Sequence, residues 1–342
     1  MTGREEVVVI TGASAGVGRA TVRRFARDRA RIALLARGRE RLESAAREVE
    51  AAGGQALVLA TDVADPEAVE AAAGRAEEAL GPIDVWINNA MTSVFSPAHE
   101  IEPEGYRRVT EVNYLGYVYG TLAALKRMRP RNRGTIIQVG SALAFRGIPL
   151  QAAYCGSKHA IQGFTESVRT ELIHEGSDVH LGLVHLPALN TPQFEWVRSR
   201  LDRKPQPVPP IYQPEVAADA VHWAAHHRRR TLLVGLPTVQ TVLGERLAPG
   251  ALDHYLAHNG FGAQQTDEPE SPDRADNLFE PVAGDFAARG RFDDRARSAS
   301  PQLWASKNRG RLALAGAIVA VAAAWFSRAL PCASSGRSPG TR

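Results

Sequence analysis

Three side chains near the middle of the chain have the types and spacing of an acid–base site. Ser141 precedes Tyr154 by 13 positions, and Lys158 follows Tyr154 by 4. Residues four apart lie on one face of a helix, so a helix here would bring the phenol and the ammonium together. An isolated phenol titrates at about 10, and a neighbouring positive charge lowers its pKa. The trio predicts proton exchange with a carbonyl or hydroxyl oxygen, with Lys158 lowering the pKa of Tyr154.

A glycine-rich turn near the N-terminus provides a second chemical signal. Gly12, Gly16 and Gly18 lie in the segment TGASAGVGR, which follows the apolar run 7–10 and precedes an amphipathic segment. Glycines in such a turn let the backbone approach a pyrophosphate, whose charge is stabilised by the free N–H groups of the helix N-terminus. Its position between a strand and a helix predicts that the turn binds a dinucleotide.

The residues after the second predicted strand indicate which dinucleotide is bound. An NAD site usually has an acidic side chain there, which binds the ribose 2′-hydroxyl. This chain has Ala36, Arg37, Gly38 and Arg39 instead. Because no carboxylate would repel a 2′-phosphate and Arg37 could pair with it, we predict NADP(H) as the cofactor. The alternative is that Arg37 is a solvated loop charge and that the cofactor is NAD.

Further motifs follow along the chain, namely Asp62-Val63, Asn88-Asn89-Ala90 and Asn113. With the glycine turn and the Ser–Tyr–Lys trio, they make the chain resemble the classical short-chain dehydrogenase/reductase family over about residues 5–260. The resemblance implies an oxidoreductase that transfers hydride between a nicotinamide cofactor and a carbon–oxygen group. It also implies a homo-oligomer.

The resemblance assigns a role to each residue of the site. Tyr154 would be the general acid for reduction or the base for oxidation, and Lys158 would lower its pKa and bind the nicotinamide ribose. Ser141 would hydrogen-bond the substrate oxygen, and Asn113 would hold a water that connects Lys158 to solvent. The predicted cofactor contacts are Gly12, Ser14, Gly16, Val17, Gly18, Arg37, Asp62, Val63, Asn89, Ala90, Tyr154, Lys158, Pro187 and Thr191.

Two positions depart from the family pattern. Met91 follows Asn89-Ala90 where the family commonly has glycine, and Ala188 follows Pro187 where the family has a Pro-Gly pair. Met91 brings a flexible apolar side chain near the nicotinamide end of the site. Ala188 disfavours positive φ, so we expect the loop before Thr191 to take a different path.

Mostly apolar residues follow the predicted strands on the substrate side, and they favour a lipophilic ketone, aldehyde or secondary alcohol as substrate. The stiff, proline-rich stretch 204–210 is predicted to shape a lid. The candidate pocket residues are Met91, Leu143, Phe145, Gln151, Leu189, Phe194 and Trp196.

Short apolar runs alternate with amphipathic segments through the first 190 residues, which predicts an α/β fold with a doubly wound (Rossmann) parallel sheet. The predicted strands are 7–10, 32–35, 56–60, 85–87, 135–139, 179–186 and a seventh at 232–235. We expect a single domain with a C-terminal extension. The predicted divisions are a catalytic domain over 1–260, a polar and partly disordered linker or wrap over 261–310, an apolar helix over 311–330 and a disordered basic tail over 331–342.

The apolar segment near the C-terminus has two interpretations. Residues 312–326 carry no charge, and Arg311 and Arg328 flank them. These 15 residues are fewer than the roughly 20 that cross a bilayer as a helix, although flanking arginines could extend them. One interpretation is a membrane anchor or a helix lying on the cytoplasmic face of a membrane, and the other is a helix that packs against the body or a partner subunit.

Charge and cysteine content exclude other classes. Residues 289–342 contain ten basic and two acidic residues and so carry a net +8, whereas residues 1–288 carry −4, which argues against a nucleic-acid-binding body. The two cysteines form no metal-ligand spacing, and no signal peptide precedes the first strand, so we expect a cytoplasmic body without a metal site. The main alternatives to the NADP-dependent enzyme are a non-catalytic NADP-binding module recruited to a membrane and an NAD-dependent alcohol dehydrogenase.

Overall fold

A computed structural model describes residues 5–271 and 273–329. The strands are β1 (Val7–Thr11), β2 (Arg31–Ala36), β3 (Gln55–Ala60), β4 (Val85–Asn88), β5 (Val94–Phe95), β6 (Thr135–Ser141), β7 (His180–Leu186), β8 (Arg198–Ser199), β9 (Arg203–Pro205), β10 (Ile211–Tyr212), β11 (Thr231–Leu233), β12 (Gln265–Pro269) and β13 (Ala296–Arg297). The α-helices are α1 (Gly16–Ala26), α2 (Arg39–Ala51), α3 (Pro66–Leu80), α4 (Pro103–Thr110), α5 (Gly116–Met128), α6 (Ala152–His174), α7 (Gln193–Trp196), α8 (Pro214–His226), α9 (Leu236–Leu247), α10 (Pro249–Asn259), α11 (Pro301–Lys307) and α12 (Arg309–Ala329).

A seven-stranded parallel sheet forms the centre of the fold, in the order β11-β7-β6-β4-β1-β2-β3. The seven predicted strands are these seven, so the doubly wound α/β prediction is confirmed. The sequence explains the central position of β1, because its five residues are apolar or Thr and all are buried, as a strand covered on both faces requires.

Helices cover both faces of the sheet. On one face, α3, α5 and α6 share a core cluster with the sheet, and on the other α1 packs against α2 and α8. The start of α3 shows how the sequence fixes an element: Asp65 accepts hydrogen bonds from the N–H groups of Glu67 and Ala68, and Pro66 occupies the first helical position.

The strand order reverses between β1 and β4. The chain runs outward from β1 through β2 and β3 and then returns to place β4 on the other side of β1. Ligands of open α/β sheets bind outside the carboxyl ends of the strands at this reversal. The predicted glycine turn follows β1, and Asn89 follows β4, so both lie at this point.

The helical segment that leads to the cleft from β5 is interrupted. It consists of α4, a five-residue π-helix over Glu111–Leu115, and α5. Single π-helical turns inside α-helices are frequent at functional sites. Asn113 lies in the middle of this turn.

The chain divides into two compact units, residues 1–300 and residues 301–342. Residues 261–300, predicted as linker or wrap, belong to the first unit and contribute β12 and β13 to two-stranded pairs with β9 and β10. The described part of the second unit contains α11 and α12. The basic tail predicted over 331–342 lies outside the described residues.

The predicted membrane anchor over 311–330 is not supported. Its described part forms α12, but within residues 5–271 and 273–329 no helix is long and apolar enough to cross a membrane. The uncharged run of 15 residues from Leu312 to Phe326 is shorter than the roughly 20 apolar residues that a spanning helix needs.

Candidate active site

One cleft of about 630 Å³ opens at the carboxyl ends of the central strands. Most of the predicted site residues line it, although they are spread over 180 residues of sequence. Those that line it are Gly12, Ser14, Gly16, Val17, Arg37, Asp62, Val63, Asn89, Ala90, Ser141, Tyr154, Lys158, Pro187 and Thr191. Gly18 and Asn113, also predicted, do not line it.

The glycine turn is shaped for close approach of the backbone. Gly12 has a φ of +66°, and a Cβ atom there would lie 2.8 Å from the Cα of Ala90. A Cβ at Gly18 would lie 2.0 Å from the carbonyl oxygen of Gly12, so Gly18 packs the start of α1 against the turn. The Asn89 side chain fixes the turn from β4, because its Nδ2 donates to the Thr11 carbonyl at 2.9 Å. This cradle fits the diphosphate of a dinucleotide.

Basic side chains gather at the end of the cleft near β2 and β3. Arg37 follows β2, and burial, followed by the charge of Arg108, lowers its pKa. The charge of Arg41 also lowers the pKa of Arg37. Arg108 donates to Asp62 Oδ2 at 2.6 Å. No acidic residue occupies the end of β2. This end of the cleft therefore suits an anionic group.

The Ser–Tyr–Lys trio comes together at the opposite end of the cleft. Ser141 is the last residue of β6, and its hydroxyl lies near enough to Tyr154 to lower the pKa of the phenol. Tyr154 and Lys158 lie one turn apart on α6, with the Lys158 Nζ 5.6 Å from the Tyr154 ring centroid. Lys158 Nζ donates to the Val139 carbonyl at 2.9 Å and to Tyr117 Oη at 3.2 Å.

Burial dominates the electrostatics of this pair. It raises the pKa of Tyr154 to about 12, against the lowering effect of the Ser141 hydrogen bond. It lowers the pKa of Lys158 to about 7. Desolvation penalises both charged forms, and the Lys158 amine is directed to Val139 and Tyr117. The lowering of the Tyr154 pKa by Lys158 stays a prediction.

Asn113 holds elements of the site together from behind. It is fully buried, its Oδ1 accepts from the Thr92 N–H at 2.8 Å, and its Nδ2 donates to the Thr92 carbonyl at 2.9 Å. Nδ2 also lies 3.1 Å from Ser157 Oγ, which donates to the Tyr154 carbonyl at 2.7 Å. Asn113 thus joins the loop after β4 to the helix that carries Tyr154. Its predicted role in holding a water stays a prediction.

Asn88 has a different position from its neighbour Asn89. It is fully buried beneath the site, accepts from Trp86 Nε1 at 2.8 Å and donates to Gln138 Oε1 at 2.9 Å and Thr121 Oγ1 at 3.1 Å. Such satisfied buried networks rigidify a core. The network joins β4 and β6 to α5.

The substrate side of the cleft contains most of the predicted pocket residues, namely Met91, Leu143, Gln151, Leu189, Phe194 and Trp196. Phe145 does not line it, because its ring packs against His185 at 4.6 Å instead. Residues 206–210 of the proline-rich stretch line the cleft as predicted for a lid. The departures Met91 and Ala188 both line it as well.

Several lining residues were not predicted. Helices α9 and α10 contribute Thr241, Leu252 and Tyr255, and Arg146 joins them to the loop after β6 by ion pairs to Glu245 at 2.9 Å and to Asp253. These helices lie about 100 residues beyond the trio and contain no motif. Tyr117, which contacts Lys158, was not predicted either. The sequence indicated it only by its position four residues after Asn113, which would place the two residues on one face of a helix.

Known proteins are similar to this chain over different lengths. The model of the short chain dehydrogenase family matches residues 6–201. The uncharacterized oxidoreductase YxnA of Bacillus subtilis is 33% identical over 324 residues, which cover 94% of this chain and 90% of YxnA. A 3beta-hydroxysteroid dehydrogenase of Mediterraneibacter gnavus is 32% identical over 173 residues, which cover 50% of this chain and 62% of that protein.

A solved structure is similar in fold. It is an alcohol dehydrogenase from the archaeon Thermococcus sibiricus complexed with 5-hydroxy-NADP, with a TM-score of 0.58 and 29% sequence identity. The similarity covers 68% of this chain and 96% of that one. The family model spans more than half of the 342 residues. The chain therefore belongs to the classical short-chain dehydrogenase/reductase family.

Proposed function

We propose that this oxidoreductase transfers hydride between NADP(H) and a lipophilic ketone, aldehyde or secondary alcohol, with Tyr154 as the general acid or base. One juxtaposition supports this most directly: Ser141, Tyr154 and Lys158 line the same cleft as the glycine turn, and the Ser141 hydroxyl lies near enough to Tyr154 to lower the pKa of the phenol. A carbonyl oxygen that accepts from both hydroxyls would be bound and polarised at once.

The ionisation of Tyr154 suits proton donation. With a pKa of about 12 the phenol keeps its proton at neutral pH. An alkoxide is a stronger base than a phenolate, so charge that develops on a substrate oxygen would draw this proton across. In the reverse direction Tyr154 would accept the proton of the alcohol. The nicotinamide cofactor would supply or accept the hydride.

Lys158 would bind the nicotinamide ribose. An ammonium group has three donors, and two of them are directed to Val139 and Tyr117, which leaves one for a ribose hydroxyl. Ser14 and Val17 would hold the diphosphate at the start of α1, beside Gly16, whose N–H donates to the Ala287 carbonyl. Asp62 and Val63 would contact the adenine, Asn89 and Ala90 the adenosine side, and Pro187 and Thr191 the nicotinamide end.

The arginines after β2 and β3 support NADP over NAD. Arg108 and Arg41 both lie near enough to Arg37 to lower its pKa, and no carboxylate at the end of β2 would repel a 2′-phosphate. A guanidinium group binds a phosphate through paired, charge-assisted hydrogen bonds. A preference of the purified protein for NADH would contradict this assignment.

Apolar residues support a lipophilic substrate. Leu143, Leu189, Phe194 and Leu252 line the cleft beyond Tyr154. A relative acts, by its name, on a 3β-hydroxysteroid. Burial of such apolar surface favours substrates with few charges.

The Tyr154→Phe variant tests the function. It removes the acid without removing the ring, so turnover of NADPH with a panel of lipophilic ketones and aldehydes should fall about 10²- to 10⁴-fold. Its affinity for NADPH, measured by fluorescence titration, should stay within a factor of about two, since the phenol is not a charge partner of the cofactor.

Tyr106→Phe is the matched control, because it removes only a surface hydrogen bond from the Tyr106 hydroxyl to the Ala98 carbonyl. It should leave turnover unchanged. NADPH binding without turnover of any compound by the unmodified protein would favour the alternative of a non-catalytic binding module.

A further inference from the structure

A segment beyond the family model runs along the mouth of the cofactor cleft. We call residues 277–292 the strap. They belong to the first compact unit, whereas the family model ends at residue 201. Asn277 and Pro281 of the strap line the cleft together with Arg37, Gly38 and Asp62.

The first part of the strap contacts the end of the cleft that holds the arginines. Arg37 donates through Nη2 to the Asn277 carbonyl at 2.5 Å and through Nη1 to the Phe279 carbonyl. Arg108 donates through Nε to the Leu278 carbonyl at 3.1 Å. The two cationic side chains that we assign to the adenosine end therefore also hold the strap.

The second part of the strap reaches the glycine turn. The Gly16 N–H, at the first position of α1, donates to the Ala287 carbonyl at 3.0 Å. Asp285 accepts a hydrogen bond from Ser44 of α2 and lies 3.7 Å from the guanidinium of Arg19. The strap therefore extends from the adenosine end to the diphosphate end of the site.

Buried side chains fix the strap on both sides of an exposed stretch. Leu278 is fully buried beside Val94 and Val109, Ala288 is fully buried beside Ala20, and Phe292 packs on Phe194. Most of the residues between these anchors, 279–287, are exposed. The buried anchors hold the two ends of this exposed stretch in place.

One atom of the strap lacks a partner. The Oδ1 of Asn277 is buried and accepts no hydrogen bond from any residue that the structure describes. Buried acceptors without partners are rare and costly in folded proteins. Because Asn277 lines the cleft, a donor on a bound molecule would satisfy it.

We propose that the strap is part of the cofactor site and closes over the adenosine and diphosphate ends of bound NADP(H), with Asn277 as an additional binding residue. This rests on the proposed NADP(H) dependence. A guanidinium has five donors, and Arg37 uses two on the strap, so three remain for a 2′-phosphate. Arg37 would then join the phosphate to the strap, and NADP(H) could leave only when residues 279–287 lift.

A disulfide between Gly38→Cys and Pro281→Cys tests the closure. A Cβ at Gly38 would lie 3.7 Å from the Cβ of Pro281, which is the separation that a disulfide requires. The two cysteines are introduced into a chain that also carries Cys332→Ser. The remaining native cysteine, Cys155, is buried, so it should not react with them. The protein is loaded with NADPH, oxidised with glutathione disulfide and chased with excess NADP, while the fluorescence of bound NADPH is followed.

We expect the oxidised pair to release NADPH at least about tenfold more slowly than the reduced pair, and to regain the original rate when it is reduced. Oxidation before loading should slow association as well. Each single cysteine variant, treated in the same way, should show neither change. A disulfide that forms without changing either rate overturns the proposal, and so does failure of the disulfide to form, since the strap would then not lie at Gly38.

Asn277→Ala gives an independent measurement. Loss of one hydrogen bond to the cofactor should weaken NADPH binding about threefold to tenfold in a fluorescence titration. Asn308→Ala, in the second unit, is the matched control and should bind NADPH normally. Unchanged NADPH affinity in Asn277→Ala would contradict the proposal that Asn277 binds the cofactor.

The outcomes separate the strap from the function on which it rests. Tyr154-dependent turnover with NADPH, together with release that the disulfide does not alter, overturns the strap alone. If the unmodified protein binds no NADPH, both the cofactor assignment and the strap are overturned.

Discussion

The catalytic end of the cleft and its entrance are held by different kinds of interaction. At the catalytic end, Asn113 and Lys158 are at most 2% exposed and bond to buried backbone and hydroxyl groups. At the entrance, Arg146 pairs with Asp253, whose side chain is 69% exposed, and Asp285 of the strap is exposed. Buried hydrogen bonds are costly to break, whereas exposed ion pairs contribute little. The difference favours a rigid reaction centre behind an entrance that can open.

The two regions also differ in their relation to the family. The catalytic end comes from residues 88–158, inside the segment that the family model matches. The entrance comes from α9, α10 and the strap, which lie beyond that segment. YxnA matches 94% of this chain, whereas the alcohol dehydrogenase structure covers only 68%. The entrance is therefore the part to compare among full-length relatives when substrate or cofactor exchange differs.

The largest effect should come from the buried amine at the catalytic end. Burial lowers the pKa of Lys158 from its ordinary 10.5 to about 7. Between these values the unfolded chain binds a proton that the native protein lacks, so native stability rises with pH in this window. Relative to Lys158→Met, the free energy of unfolding should rise by about 2 to 3 kcal/mol between pH 7 and pH 9, measured by urea unfolding.

Lys126→Met is the control for this titration, because Lys126 is exposed and pairs with Glu70 at the surface. Its difference from the unmodified protein should stay constant over the same pH range. A constant difference for Lys158→Met as well would mean that water reaches the amine, and the contrast between a sealed centre and an open entrance would fail.

The next effect concerns Arg37, which belongs to both the cofactor site and the strap. Arg37→Ser should weaken NADPH binding about 10- to 100-fold through loss of charge-assisted hydrogen bonds to the 2′-phosphate. NADH binding should weaken much less. Fluorescence titrations with both cofactors measure the two affinities, and Arg47→Ser, an exposed change on α2, serves as the control.

An equal loss for the two cofactors would contradict the 2′-phosphate contact. In that case Arg37 would act only by holding Asn277 and Phe279, and the entrance would control cofactor binding without selecting between NADP and NAD.

The contrast between the two regions also explains what the sequence could predict. The glycine turn and the Tyr154–Lys158 pair depend on spacing within one turn or one helix, so local pattern places them correctly at the start of α1 and on α6. The seven core strands are continuous apolar runs, which can be recognised from the sequence alone. These features need no knowledge of distant contacts.

Other features depend on contacts between distant residues and left no local pattern. The strap contacts Arg37 across about 240 residues of sequence. Its acceptors are backbone carbonyls, which every residue has, so the residue types in the strap do not predict these contacts. Burial of Tyr154 and Lys158 likewise depends on the whole fold, so the spacing of the two residues could not predict how far burial shifts their pKa values. The prediction that Phe145 lines the pocket is wrong, because His185, 40 positions away, packs on its ring.

The smallest effect should come from the ion pairs that hold the helices of the entrance. Arg146 joins the loop after β6 to Glu245 of α9 and to Asp253 of α10. Arg146→Gln keeps a polar side chain but removes the guanidinium group and its charge, so α9 and α10 should lie less firmly over the cleft. For a carbonyl compound that the protein turns over, we expect KM to rise about twofold to fivefold with kcat unchanged, measured by initial rates of NADPH oxidation.

Arg133→Gln, at an exposed position before β6, is the control and should leave both constants unchanged. A fall in kcat at constant KM would contradict the prediction, because it would connect Arg146 to Ser141 and Tyr154 rather than to the entrance. The split between KM and kcat therefore decides whether the two regions act separately: a rigid centre keeps its rate when the entrance loosens, whereas a centre that depends on α9 and α10 for its geometry does not.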